Sequence, residues 1–428
     1  MKSSKISRIA KIKIKNKEAI LLIINIIFVM RYFIATPIER IYYIIEAIFD
    51  LFMILYLIKE ILKNRIINNN YFLYVLLLIL FFSFYGPIRA KIVFGQPIYL
   101  GLLASRGALL LIPSIFVYNK IKNNFINLYQ LKKIFVILCW VSLIVYTLIY
   151  FVLGPILLSG SKYMLYDLYW GYRYKFNLEL IVLISFYYYL NYIKKGNFPF
   201  LLKFILILGF LIFLAKGRGF LISYIITFLL VSIFAHSNIS KVIRLYFLVI
   251  VISLLFLISY VTSTEFKGNL KYYYIKYSAV IDILKGENTI DPSANARLIE
   301  ATTMNEYLKE DKSKLLWGVG SLSNYFNRGE TEGGFSSIFG YLHPSDVGIL
   351  GIRFVWGIFG LMLIYLLPFF VMLKKSIKYI NEADVFIGSI SGFVIYSLIG
   401  SIYTGGIAFN PYFTYFCFGI ILAFEAHK

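Results

Sequence analysis

The chain has little of what soluble enzymes use for chemistry. Only two of its 428 residues are cysteines, Cys139 and Cys417. Both fall inside apolar segments, which excludes a disulfide framework and a cysteine-based metal site. Histidine is nearly as scarce, with three copies, His236, His343 and His427. Such a set does not furnish a zinc centre, so no metal and no cofactor are expected. Charged residues make up 15%, against about a quarter in soluble domains. Acidic residues are the rarer kind, 21 against 43 Lys and Arg. There is no Walker motif, no Rossmann fingerprint and no Asp-x-Asp pair of the kind that holds a metal-bound nucleotide sugar. Gly318-Val319-Gly320 lacks the rest of a dinucleotide pattern. These gaps remove nucleotide-driven and metal-driven chemistry from consideration.

What the chain has is hydrophobicity. Apolar residues reach 60%, and the mean hydropathy is +0.78. Repeated apolar runs of roughly 17–25 residues match a ~30 Å hydrocarbon core crossed by helices. A membrane β-barrel would show ~10-residue alternating segments, and these runs do not alternate. The fold expected is an all-α polytopic membrane protein of about 12 transmembrane helices. The spans are read at 18–36, 41–58, 71–86, 98–118, 134–158, 177–193, 200–215, 218–236, 243–262, 346–373, 384–402 and 407–424. Residues 1–262 then hold helices 1–9, residues 263–345 form one large polar loop, and residues 346–428 hold helices 10–12. Seven Lys and Arg precede the first run, as in a signal peptide. The run's length, its Arg31 and the lack of a small-residue cleavage site favour an uncleaved first span.

Sidedness follows from the positive charges. One alternating set of connections, together with the two termini, carries 22 Lys and Arg, whereas the short connections of the other set carry 8. Cytoplasmic loops hold the excess, so both termini are expected in the cytoplasm and the 263–345 loop on the outer side. The net charge of +22 is therefore read as membrane topology, not as nucleic-acid binding. Four cations remain inside spans: Arg31, Arg106, Lys203 and Arg353. Charges at that depth line a pathway or pair with one another. Arg31 and Glu46 lie at similar depth on adjacent helices and read as an ion pair. Asp50 shares a helix face with Glu46 at spacing i, i+4. Lys203 is close enough to a helix end to snorkel.

Arg106 and Arg353 each lie roughly 10–13 Å into a span that enters from outside, at 1.5 Å per residue. Arg218 opens another span at the outer rim. Without an obvious acidic partner for each, these arginines read as a site for an anion, and a guanidinium fork suits phosphate. Structural pairing between helices is the competing reading. His343, the only outer histidine, stands in His343-Pro344-Ser345-Asp346-Val347-Gly348 near the N-cap of the tenth span. At 100° per helical residue, His343, Asp346 and Arg353 share one strip. Free imidazole as a class titrates near ~6.5, the range a general base needs. Outside the cell there is no ATP, so a donor must arrive activated, and a lipid diphosphate is the natural candidate.

These residues resemble the O-antigen polymerase and O-antigen ligase superfamily of bacterial surface-polysaccharide enzymes. Three parts carry the likeness: Lys216-Gly217-Arg218-Gly219-Phe220, Arg297 followed by Trp317-Gly318-Val319-Gly320, and His343 through Gly348 with Gly351 and Gly360. Pro344 stands where many members carry asparagine. The resemblance implies a GT-C-like, metal-independent, inverting glycosyltransferase of the bacterial inner membrane. Its donor would be a glycan on undecaprenyl diphosphate. Its acceptor would be a second lipid-linked repeat unit for a polymerase, or lipid A-core for a ligase. His343 would take the acceptor's proton or orient its hydroxyl, supported by Asp346. Arg218, Arg297, Arg353 and Arg106 would hold the diphosphate. Tyr166, Tyr169, Trp170 and Tyr172 offer sugar-stacking surfaces. Implied partners are the lipid-linked oligosaccharide, the bilayer and a chain-length regulator protein. A flippase or transporter for the same lipid is the rival from another class.

Overall fold

The structure, a computed structural model, describes residues 16–31, 39–62, 70–153, 164–167, 171–174, 177–213, 218–235, 292–327, 333–340 and 342–428. These are mostly helical, with one antiparallel hairpin, β1 (Met164–Asp167) and β2 (Gly171–Tyr174), and connecting loops. The principal helices are α1 (Asn16–Val29), α2 (Glu39–Leu62), α3 (Asn70–Phe94), α4 (Ile98–Lys122), α5 (Leu128–Val152), α6 (Glu179–Lys195), α7 (Phe198–Phe213), α8 (Arg218–Phe234), α9 (Pro292–Lys309), α10 (Lys312–Trp317), α11 (Ile349–Ile380), α12 (Val385–Thr404) and α13 (Tyr412–Glu425).

Six of them are long and apolar enough to cross a membrane among the described residues: Ile41–Leu62 of α2, then α3, α4, α5, α11 and α12. The protein is thus a helical, multi-pass membrane protein. Each of these six falls on an expected span. Shorter apolar helices fall on four more, in α1, α7, α8 and α13, and α6, which does not count among these apolar helices, overlaps the expected 177–193. The expected span 243–262 and the loop's first part, 263–291, lie outside the described residues.

The spans are not uniform helices. Irregular turns interrupt them at Phe81–Tyr85, Arg106–Leu111, Ile149–Leu153 and Leu361–Leu366. The first, second and fourth end two residues before a proline of the same helix: Pro87, Pro113 and Pro368. A proline inside a helix has no N–H for the carbonyl four residues back, and its ring collides with that carbonyl. The wider π turn or tighter 3-10 turn takes up the mismatch. Tolerating this inside an apolar span requires neighbouring protein around the freed backbone groups.

The chain divides into two compact units. One comprises Met1–Val136, Glu300–Ser376 and Ser397–Lys428, and the other Ile137–Ile299 and Ile377–Tyr396. In the first unit, α13 packs along the second half of α4. There Gly419 lies against the Ser114 carbonyl and the Tyr71 hydroxyl. Fully buried aromatic and aliphatic side chains such as Phe72, Ile115 and Phe416 fill this core. In the second unit, α6 and α7 form a tight hairpin closed at Gly196, whose N–H caps Tyr192. Trp140 donates to the Tyr188 hydroxyl at 2.8 Å within this unit. Both parts expose many large apolar side chains, such as Leu77, Ile92 and Leu206, as lipid-facing helices do.

Candidate functional site

The site is built where α11 breaks. Gly357 has φ +69° and ψ −174°, so the helix from Ile349 does not run on regularly. The break leaves the Phe354 and Val355 carbonyls open to another chain segment. Val319 and Gly320 supply it: their N–H groups donate to Phe354 and Val355 at 3.0 and 2.8 Å. The segment after α10 therefore docks like a short strand against a broken span. Gly318 and Gly357 meet backbone to backbone, leaving no room for a Cβ on either.

The rim of α3 and α4 clamps the same segment. Arg89 donates through Nε and Nη2 to the Gly318 carbonyl, at 3.2 and 2.9 Å. Gln96, fully buried in the turn between α3 and α4, donates to the Ser321 carbonyl at 3.1 Å and accepts from the Ser323 N–H at 2.7 Å. Neither Arg89 nor Gln96 stood out in the sequence, where both belonged to a connection read as 87–97. The structure carries α3 on to Phe94 and leaves only Gly95–Pro97 as the turn.

A cavity of about 390 Å³ opens beside this docked strand. It lies within the first unit, in the ~300–1,000 Å³ range of small-ligand sites. Phe82 from the π turn of α3, Ser105 and Gly107 flanking Arg106 in α4, and Val355 and Trp356 at the break in α11 form part of its wall. Ser321 and Asn324 come from the docked segment, His343 and Ser345 from the loop exit, and Phe409 and Tyr412 from the entry to α13.

His343 is exposed and lines the cavity. Its backbone N–H donates at 2.9 Å to Glu300 of α9, a carboxylate 1% exposed. Burying a carboxylate is costly unless hydrogen bonds satisfy it, so this contact ties the loop exit to the loop helix. Glu300 was not singled out in the sequence, because a glutamate on a polar helix carries no signal of burial. Replacing Glu300 with alanine removes the acceptor and is expected to cost about 1–3 kcal/mol. Glutamine keeps an acceptor oxygen and is expected to restore most of that loss. Thermal unfolding of the two purified variants checks both outcomes.

The expected strip of His343, Asp346 and Arg353 does not form. It required one continuous helix, whereas His343 precedes a single 3-10 turn, Pro344–Val347, and Gly348 turns the chain with φ +60° before α11 starts. Asp346 is exposed and is not among the described residues lining the cavity. Arg353 is half-buried, and its Nη2 donates to Asn305 of α9 at 2.5 Å. It fastens α11 to the loop helix and does not line the cavity.

Arg106 stands closer to the cavity, between two residues that line it. Here the expectation of an arginine without an acidic partner is corrected. Arg106 Nη2 lies 3.5 Å from Glu46 Oε2, and Arg31 Nε lies 3.4 Å from Glu46 Oε1. The Arg31–Glu46 pair is as expected, but the carboxylate is shared by two guanidinium groups. Tyr42 also donates to Glu46 at 3.3 Å. Arg31 is not mid-helix: it closes α1 with φ +50°, at a helix C-terminus, where the dipole favours a cation. The Arg31 guanidinium carbon sits 5.9 Å from the Tyr412 ring and that of Arg106 5.1 Å from the Tyr43 ring. Two guanidinium groups sharing one carboxylate thus stand next to residues of the cavity wall, Arg106 between Ser105 and Gly107 and Arg31 near Tyr412. Asp50 is buried on the same helix face as Glu46.

The remaining expected residues belong to the second unit. Arg297 is exposed on α9, and Arg218 opens α8, its side chain outside the described residues. Tyr166 and Tyr172 pair in register across the hairpin. Their side chains, and all of Tyr169 and Trp170, also lie outside the described residues. No group of three or more His, Cys, Asp or Glu stands together as a metal site among the described residues. Comparison of the chain with known protein families and with curated proteins finds no match.

Proposed function

We propose that the protein is a polysaccharide polymerase of the bacterial inner membrane. It transfers a glycan from undecaprenyl diphosphate to the sugar hydroxyl of another lipid-linked repeat unit, on the outer face. The observation that carries this reading is one cavity with an exposed histidine on its wall and a guanidinium pair next to residues of that wall. Those are the two functions a metal-free glycosyl transfer from a lipid diphosphate needs. A base must accept the acceptor's proton, and cations must stabilise charge developing on the leaving group.

In this mechanism His343 takes the proton of the attacking hydroxyl as the new glycosidic bond forms. The bond from the anomeric carbon to the diphosphate oxygen breaks on the opposite face, inverting that carbon. Arg106 and Arg31 face the departing diphosphate, and Glu46 holds both in place. For Arg218 and Arg297, which belong to the second unit, the resemblance alone implies a diphosphate-binding role. Arg353 fixes the loop helix that carries Asn305.

Deleting the gene in a strain that makes a long surface glycan tests the reading. A polymerase leaves single repeat units attached and no long chains. Loss of all attached glycan, with lipid-linked polymer accumulating, would make the protein an O-antigen ligase acting on lipid A-core. Lipid-linked units stranded on the cytoplasmic face would make it a flippase and end the enzyme reading. Arg297→Ala is expected to lower turnover about tenfold, the loss of one charged phosphate contact, and to shorten the product ladder at unchanged protein level.

A further inference from the structure

We infer that the loop helix α10 dips its apolar end into the lipid of the adjoining leaflet, so that part of the polar 263–345 segment is a membrane anchor. This surface serves whatever reaction the cavity carries.

Polarity in α10 runs along the helix and not around it. The chain enters through Glu310, Asp311, Lys312, Ser313 and Lys314 and leaves through Leu315, Leu316 and Trp317. Lys312 is exposed at one end, and Leu316 and Trp317 are 49% and 42% exposed at the other. A helix lying flat in a bilayer surface carries an apolar face along its whole length. A polar start and an apolar finish suit entry by one end.

Two spans fix how deep that end lies. The Trp317 ring packs against Phe359 of α11 at 5.2 Å, centroid to centroid. The Trp317 carbonyl accepts from the Tyr85 hydroxyl of α3 at 2.5 Å. In α11 the 20 residues from Phe354 to Leu373 carry no charge, the length that crosses the hydrocarbon. Arg353, bonded to Asn305 of the polar loop helix, ends that run. This is a shallower place than a span opening at residue 346 would give it. Phe359 stands six residues further in, roughly 9 Å at 1.5 Å per residue. In α3 the uncharged run ends at Arg89, and Tyr85 stands four residues further in, roughly 6 Å. The two depths agree, and interfacial helices bury their apolar groups by about 5–10 Å. From Trp317 back to Lys312 the helix rises roughly 8 Å, which returns Lys312 to the headgroups.

The backbone is prepared for a place outside water. Arg89 caps the Gly318 carbonyl, and the Phe354 and Val355 carbonyls take the N–H groups of Val319 and Gly320. Backbone at membrane depth needs such partners. Around Trp317 the apolar surface continues on Phe84, Ile88, Phe359 and Met362, each exposed. These four belong to membrane-crossing helices, so the occupant of the whole patch is acyl chain. Tryptophan and tyrosine favour this level because an apolar ring carries a polar N–H or O–H.

The test uses the full chain in phosphatidylcholine nanodiscs. Cys139 and Cys417 are both buried, so a nitroxide attaches selectively to Leu316→Cys or to Lys312→Cys. Both labelled variants are first matched to the unaltered chain in thermal unfolding. In Leu316→Cys the label is expected to keep its collisions with oxygen, which concentrates in acyl chains, and to lose those with a water-soluble nickel chelate. In Lys312→Cys the order is expected to reverse. A second measurement needs no label. Phosphatidylcholine brominated near the headgroup end of its acyl chains is expected to quench the tryptophan fluorescence of the unaltered protein more than that of Trp317→Phe. Nickel collisions dominating in both labelled variants would put α10 in water and overturn the anchor. A Leu316→Cys label screened from both reagents would put another protein segment over it and overturn the anchor equally. Quenching unchanged in Trp317→Phe would do the same.

Discussion

Replacing His343 with alanine is expected to remove long glycan chains while leaving the protein at normal level in the membrane. The side chain is exposed at the cavity wall, and its backbone, not its ring, makes the 2.9 Å contact with Glu300. Truncating the ring therefore spares that structural contact. A positioned base contributes about 10²–10⁴-fold to rate, so turnover is expected to fall by that order, with the apparent affinity for the lipid donor changed far less. Purified protein with a synthetic lipid-diphosphate donor gives both numbers. His343→Gln, which keeps hydrogen-bonding capacity but does not take up a proton near neutral pH, is expected to behave like alanine. Normal ladders from both variants would sink the base assignment.

The second large effect concerns stability. Gly357→Val is expected to destabilise the protein by about 3 kcal/mol or more. Its φ of +69° with ψ −174° belongs to a region that is essentially glycine-only, where other residues incur about 1–3 kcal/mol of strain. A Cβ there would also strike the Leu316 carbonyl and the Gly318 N–H. Steric conflict and strain act together, which places the substitution in the upper tail of point-mutant effects. The segment around Val319 and Gly320 is expected to undock, because its two hydrogen bonds go to carbonyls freed by this break. Thermal unfolding in detergent and limited proteolysis across residues 310–323 measure the two consequences. Gly209→Ala is the control. Gly209 sits in α7 with open space where its Cβ would be, so alanine is expected to hold or raise stability by up to ~1 kcal/mol.

The architecture of this site ties several weak local features into one device. Prolines two residues beyond their irregular turns bend α3 and α4 away from regular helix beside the cavity. The glycine pair lets a loop segment approach the broken span. Arg89 and Gln96 then hold that segment through its backbone carbonyls and one N–H. Each contact is modest, about 0.5–1.5 kcal/mol net for a neutral hydrogen bond. Their joint effect is positional: Ser321 and Asn324 reach the cavity from a loop while Phe82 and Ser105 reach it from helices. Binding groups on rigid elements keep their geometry better than groups on loops alone.

Composition and run length by themselves determined that this chain is helical and crosses a membrane many times. The reason is physical: in hydrocarbon the backbone must satisfy its own hydrogen bonds, so long apolar runs have one local solution. The pairing of Arg31 with Glu46 was also legible, since charges of opposite sign at equal depth have few other partners. Only the tertiary structure decided the rest. It gave Glu46 a second guanidinium and turned Arg353 toward Asn305. It broke the expected strip below His343 at Gly348, and it buried Glu300 and Gln96 at the loop's two anchor points. These are choices of partner between segments far apart in the chain. Periodicity along one helix says which residues share a face, but not which remote backbone will meet it.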